Sequence, residues 1–361
     1  MKRVIKLIDY GFQHDFQLTE AYDDSNTVDG LCDDFEMILI GRLDIKHKLE
    51  KRICEDKILK DKKFKVFFLN KQSNPDEVIG LIKTIAPDVI HFHGNHGWPQ
   101  YPYYADVIRN LFGNGINMIF SPAGTSCGTE TFLAKFNKVV VNHQDQVKRM
   151  KCPENKIVVR RRGIHPIFEY SRKVITENKE FCKKYDFIYV AGIIPQKRID
   201  IFLDFASKIR NKLFIMAGDE TRDQNYYYKI YNICISENLE NVFINSFVSQ
   251  KFFMSTLLKS YIFFWPNIKP ENPETTTNRA VGEALGAGLP LLLGENAFKN
   301  TEFVINGYNG FLYSDIIDFK EKSRIIMENW NKFSENSLSL AKEKFSFNTN
   351  FIDFYKKLYN A

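Results

Sequence analysis

The sequence has no CxxC pair, and its six cysteines, Cys32, Cys54, Cys127, Cys152, Cys182 and Cys234, are widely spaced. That spacing argues against a disulfide scaffold or a zinc ribbon and fits a reducing compartment. Long apolar runs are missing too. Stretches such as Tyr261–Trp265 and Leu289–Leu293 fall far short of the ~20 residues of a membrane-spanning helix. The opening segment Met1–Asp9 is basic and then apolar, but Lys6 and Asp9 interrupt it too early for a secretory leader. There is no internal repeat, no long low-complexity tract and no named nucleic-acid motif. Basic residues are not interleaved with aromatics, so no nucleic-acid partner is expected. What the chain has in quantity is core-forming material. Of its 361 residues, 44% are hydrophobic and 14% aromatic, which excludes wholesale disorder and, at this length, points to two separate cores.

Lysine and arginine number 50 against 44 acids, a net charge of +6. The segment Lys148–Arg162 carries seven basic residues and one acid, Glu154, and by itself equals that surplus. Such a patch attracts an anionic lipid surface or a phosphate group, or it is a solvated connecting surface. The location that follows is cytoplasmic, peripheral on the inner face of a membrane.

Short β-rich runs alternate with longer helical ones. Strands are expected at 3–8, 35–40, 64–69, 88–93, 116–120, 138–141 and 156–159. After a polar stretch at 170–184 they resume at 187–191, 213–217, 242–245, 261–265, 290–293 and 310–313. Helices are expected at 75–85, 199–209, 226–236, 250–259 and 278–287, the first opened by Asn74 as cap and Pro75 at its first position. This alternation argues for an α/β protein with parallel sheets covered on both faces. The boundary falls near 165–185, giving a domain at 1–168, a second at 185–340 and a terminal helix at 341–361 that can return to the first. Each domain reads as doubly wound and Rossmann-like. Ligands bind such sheets outside the carboxyl ends of the strands, and the cleft between two facing domains is the default site.

The most informative segment runs from Glu271 to Pro290. A loop rich in Glu and Thr follows a strand and enters a small-residue helix that ends at Gly288, a candidate left-handed cap. Loop and helix start offer N–H groups to an anion and oxygens to hydroxyls. Glu283 lies inside that helix among alanines and glycines, where a buried carboxylate needs a partner. Ligand hydroxyls would serve; the plain alternative is a solvent-facing glutamate.

Here the chain resembles the family-4 group of retaining, sugar-nucleotide-dependent glycosyltransferases with the GT-B fold. The family's E-A-x-A-x-G-x-P is matched by Glu283-Ala-Leu-Gly-Ala-Gly-Leu-Pro290. Its G-R-x-x-P-x-K-G is matched by Ala191-Gly-Ile-Ile-Pro-Gln-Lys-Arg198. A strand ending Ala217-Gly218 and the later Asn306-Gly-Tyr-Asn-Gly-Phe-Leu312 follow in the family's order. The resemblance implies two Rossmann-type domains facing across a cleft, with a nucleotide-diphosphate sugar as donor. It implies that Lys197 neutralises the diphosphate, that Glu283 accepts from ribose hydroxyls and that Glu274 serves the donor sugar. Gly192, Arg198, Gly218, Thr275, Thr276, Thr277, Asn278 and Arg279 complete the donor side. Two positions depart from the family. Gly192 stands where the family has a diphosphate-binding arginine, for which Arg198 or Arg279 could compensate, and Ala123 stands near the place of a family histidine. The chain has no Asp-x-Asp, the pattern that holds a divalent metal in the other main glycosyltransferase fold. No metal and no cofactor is expected, the leaving diphosphate being neutralised by lysine and amides.

His91 and His93 alternate on one strand in Asp88-Val-Ile-His-Phe-His-Gly-Asn-His-Gly97 and face the same side. The resemblance puts the acceptor here: His93 as a catalytic candidate, with Asn95, His96, Gly124 and Thr125 beside it. Two other readings stay open: a zinc site built from His91, His93 and His96 in a metallohydrolase, and buried structural histidines. Cys127 sits in a polar loop without a paired base and is not read as a nucleophile. Residues 345–359 read as one amphipathic helix. The leading function is transfer of a hexose-type sugar to a hydroxyl on a glycan or lipid-linked glycan. The alternative on the same fold is a non-catalytic nucleotide-sugar binder.

Overall fold

The computed structural model of the chain describes residues 1–9, 27–42, 64–69, 74–94, 100–122, 129–142, 144–148, 150–164, 168, 172–173, 177, 182–218, 223–246, 250–267, 279–299 and 301–361. The chain divides into two units. The first is Met1–Arg161 with Asn348–Ala361; the second is Arg162–Phe347.

In the first unit, short runs of β-branched and aromatic residues form β1 (Arg3–Asp9), β2 (Glu36–Arg42), β3 (Lys65–Leu69), β4 (Val89–Gly94), β5 (Asn117–Pro122), β6 (Lys138–Val141) and β7 (Ile157–Val159). They build one seven-stranded sheet in the order β3-β2-β1-β4-β5-β6-β7, and every pairing in it is parallel. The second unit holds β8 (Tyr185–Val190), β9 (Phe214–Gly218), β10 (Val242–Ser246), β11 (Ser260–Trp265), β12 (Leu291–Gly294) and β13 (Gly310–Tyr313). These form a six-stranded sheet, also parallel, in the order β10-β9-β8-β11-β12-β13. The order reverses between β1 and β4 and again between β8 and β11. Each reversal leaves a crevice at the carboxyl edge, which is where such sheets take ligands.

Local chemistry sets the elements. Helix Pro75–Ile85 begins where the Asn74 side chain accepts from the Asp76 N–H at 3.2 Å, and it buries Val78, Ile79 and Ile82. Helix Arg279–Gly286 is followed by Gly288 in the left-handed region at φ +72°, as the sequence predicts. The expected single helix over 345–359 is instead two segments. Helix Trp330–Phe345 belongs to the second unit and stops at Ser346, whose ψ is 124°. A π-helical stretch Asn348–Asp353 and helix Phe354–Asn360 belong to the first unit.

Alternation gives the two faces of the first sheet different chemistry. Ile5, Leu7, Ile90, Phe92, Met118 and Phe120 enter an apolar cluster with Val78, Ile82, Tyr101, Tyr104 and Ile108. Their strand neighbours Lys6, His91, His93 and Ser121 are buried and polar. The second unit has an aromatic core in which Phe264 lies 4.9 Å from Phe319 and Phe187 lies 4.8 Å from Phe214, centroid to centroid.

Candidate functional site

β8 ends at Val190 and leads through Ala191–Ile194 into a single 3-10 turn, Pro195–Lys197, before helix Ile199–Lys208. This places Lys197 beyond the carboxyl end of β8, the strand that borders the β8/β11 reversal. Its backbone carbonyl accepts from the Tyr189 hydroxyl at 2.7 Å, and its ammonium lies 5.6 Å from the centre of the Trp265 ring at the end of β11. Burial raises the Tyr189 phenol well above its ordinary value, so it stays a neutral donor.

The residue after Lys197 explains the glycine of the family motif. Arg198 sits at φ +47°, in the left-handed region, which costs a residue with a Cβ about 1–2 kcal/mol. Its guanidinium is also committed. Nε donates to Asp200 Oδ1 at 3.0 Å and Nη2 to Oδ2 at 2.8 Å. The Arg198 hydrogen bond holds the Asp200 carboxyl below the usual carboxylate range. Gly218, at the end of β9, answers a close approach. A Cβ there would lie 1.9 Å from the Ala191 carbonyl oxygen, so only glycine lets β9 finish beside the loop after β8.

Glu283 is buried, and Arg279 one turn earlier donates to it from Nε at 2.5 Å. The carboxylate that the sequence placed among small residues therefore has its partner on the same helix. The two arginines expected to compensate for Gly192 both face acids, Asp200 and Glu283. Glu274, Thr275, Thr276, Thr277 and Asn278 lie outside the described residues, as do Asn95, His96, Ala123, Gly124, Thr125 and Cys127.

In the first unit, His93 stands at the carboxyl end of β4, 7% exposed. Its carbonyl accepts from the Tyr101 hydroxyl at 3.1 Å. His91 is fully buried, with Nδ1 2.7 Å from the Tyr359 hydroxyl and Nε2 2.7 Å from the Ser121 hydroxyl. Both its ring nitrogens are thus taken by hydroxyls, and His91 does not fit the zinc ligand set of the metallohydrolase reading; it is a structural histidine. The basic run Lys148–Arg162 divides into buried and exposed members. Arg160 is buried, with Nη1 donating to Tyr355 Oη at 2.7 Å and Nη2 to Asn142 Oδ1 at 2.5 Å. Lys156 donates to the Ala134 carbonyl at 2.8 Å. Lys148, Lys151 and Arg161 remain exposed.

Sequence reasoning missed Tyr189 and Trp265, which hold and underlie Lys197, and Tyr355 and Tyr359, which meet Arg160 and His91. The first two are visible as aromatics at strand ends. The tyrosines carry no local signal, because Tyr359 is separated from His91 by 268 positions.

Among curated proteins none matches in sequence. Residues 171–342 match the model of the family described as Glycosyl transferases group 1, a stretch just under half the chain and lying within the second unit. Solved structures are similar over the whole chain. A glycosyltransferase from Rickettsia africae is 15% identical with a TM-score of 0.74, covering 99% of this chain and 98% of that one. HepE from Anabaena, solved with UDP-glucose, is 13% identical with a TM-score of 0.71, covering 100% of both chains. Sucrose-phosphate synthase from Thermosynechococcus elongatus is 11% identical with a TM-score of 0.71, covering 99% of this chain and 100% of that one. The likeness shows the GT-B fold, two Rossmann-like α/β domains, and the family match over the second unit joins it in supporting a GT-B glycosyltransferase.

Proposed function

We propose that the protein moves a hexose-type sugar from a nucleotide-diphosphate donor to a hydroxyl on a glycan or lipid-linked glycan, with retention of configuration and without a bound metal. The observation that carries this reading is Lys197, held by its own carbonyl to Tyr189 at the carboxyl edge of β8, inside the segment that matches the family. An oxocarbenium-like transition state requires the leaving diphosphate to be neutralised as the bond breaks. Lys197 would supply the compact positive charge, and N–H groups at the starts of helices Ile199–Lys208 and Arg279–Gly286 would supply the rest. Glu283 would accept from ribose hydroxyls and Glu274 would face the donor sugar. His93, with Asn95, His96, Gly124 and Thr125, would address the acceptor. The relevance of a sugar nucleotide is supported by HepE, whose structures hold UDP and UDP-glucose. Polysaccharide biosynthesis, cytoplasmic and at an anionic membrane face reached through Lys148, Lys151 and Arg161, completes the proposal. No helix among the described residues is long and apolar enough to cross a membrane.

Thermal shift against UDP-, GDP-, CDP- and ADP-sugars tests the donor side. A ligand at 100 times its Kd adds about 2.7 kcal/mol of stability. With the donor so selected, Lys197→Ala should lose 10²–10³ in transfer rate, roughly the loss of one charge-stabilising donor, with an unchanged melting temperature. Transfer at the wild-type rate by that variant would overturn the reading. The engagement of Arg198 by Asp200 and of Arg279 by Glu283 favours a second reading, a nucleotide-sugar binder that does not turn over. Calorimetric binding with neither transfer nor donor hydrolysis over hours would select it.

A further inference from the structure

The polar face of the first sheet contains a hydrogen-bonded trio, Tyr359, His91 and Ser121, whose imidazole lies beside the ring of the candidate acceptor-side histidine, His93. His91 Nδ1 meets Tyr359 Oη at 2.7 Å and His91 Nε2 meets Ser121 Oγ at 2.7 Å. A neutral imidazole has one donor and one acceptor nitrogen, so the two contacts orient each other: whichever hydroxyl donates, the other accepts. The ring is closed in on every side. Tyr355 packs against it at 5.3 Å, and Lys6, its register partner on β1, is buried with its ammonium 5.2 Å from the Tyr355 ring. Arg160 donates to the hydroxyl of the same Tyr355. Ser121 does double duty. It holds His91 through its side chain, and its backbone is the register partner of His93 across β4 and β5. The His91 and His93 rings lie parallel, 6.1 Å apart at 16°.

We propose that Ser121 and Tyr359 are positioning residues for His93, acting through the buried ring of His91. The C-terminal segment is then part of the acceptor-side machinery and not only a cover for the sheet. The inference rests on the reading in which His93 addresses a substrate hydroxyl. A histidine at a strand end has a mobile ring unless its neighbours fix it, and a transfer step requires its nitrogen at a set place and tautomer.

The test uses the full chain with Tyr359→Phe, Ser121→Ala and Ser121→Thr. Long-range ¹H–¹⁵N spectra of the histidine side chains read the rings directly, and steady-state transfer reads their consequence, using the sugar nucleotide chosen by thermal shift. In the wild type, His91 and His93 should each give a single tautomer. Tyr359→Phe and Ser121→Ala should mix the tautomers of both rings and lower kcat about tenfold or more, as a small misplacement near the chemistry does, at an unchanged donor KM. Ser121→Thr, which keeps the hydroxyl, should restore kcat to within about twofold. Two outcomes overturn the proposal. One is an unmoved His93 signal in Tyr359→Phe and Ser121→Ala. The other is a loss in Ser121→Thr equal to that in Ser121→Ala, which marks a packing role. A wild-type chain inactive with every donor, yet with the His93 signal moved in the variants, sinks the sugar-transfer reading and upholds the positional coupling.

Discussion

The two units fill their sheets by opposite means. The second surrounds β8 and β11 with phenylalanines, and Phe264 alone is ringed by Phe187, Phe202, Phe205, Phe214, Tyr313 and Phe319. The first does this on one face only. Its other face buries Lys6, His91, Ser121 and Arg160 and closes over them with Phe351, Tyr355 and Tyr359. Apolar packing is forgiving of partner identity but not of volume, whereas a buried polar seam is forgiving of neither. The second unit tucks a partly buried lysine, Lys183, against its aromatic residues. Its ammonium donates to the Ser260 carbonyl at 2.6 Å and lies 4.3 Å from the Trp330 ring.

Substitutions that attack each kind of packing sharpen the contrast. Phe264→Ala should have the largest effect, lowering stability by about 3–5 kcal/mol through a cavity that rigid aromatic neighbours cannot close. A urea midpoint shift worth less than about 1 kcal/mol would show that this core collapses readily. Arg160→Met should follow at about 2 kcal/mol. It strips Tyr355 and Asn142 of their donor and removes the cation 3.9 Å from the centre of the Phe351 ring. A neutral result would mean that the seam tolerates an apolar replacement, as some buried ion pairs do.

Lys183→Met is distinguished by its pH dependence. Burial, with the Arg172 charge adding to it, pulls the Lys183 ammonium from 10.5 to about 7. The unfolded chain therefore holds the extra proton between about 7 and the ordinary lysine value, and wild-type stability climbs as pH rises through that window. The variant should lose that climb while a scan below pH 7 stays parallel to wild type. Equal slopes in wild type and variant above pH 7 would place the charge of Lys183 elsewhere in the balance. Arg324→Ala sets the floor. It breaks an exposed pair with Glu328, 63% and 54% accessible, and should change the midpoint by no more than about 0.5 kcal/mol.

The fold was legible because parallel strands buried on both faces are short, continuous apolar runs, and every strand of both sheets lies within about two residues of its expected place. The caps at Asn74 and Gly288 were legible for the same local reason. The candidate site was legible only in part. Lys197 and Glu283 sit in motifs whose spacing survives in the sequence, and the Arg279–Glu283 pair lies at i,i+4. Arg160 looks like one more solvated cation in a basic run. Its burial is set by Tyr355, 195 positions later, and no window along the chain contains both. Residues 345–359 read as one amphipathic helix because the break at Ser346 is made by the change of unit, not by a glycine or proline.

The division of the chain also sets a schedule for its synthesis. The stretch that completes the first unit, Asn348–Ala361, is translated after every residue of the second. During synthesis the earlier-made sheet therefore lacks the tyrosines that shield Lys6 and His91 until the whole second unit has been translated. The half that is begun first is thus the half that is completed last.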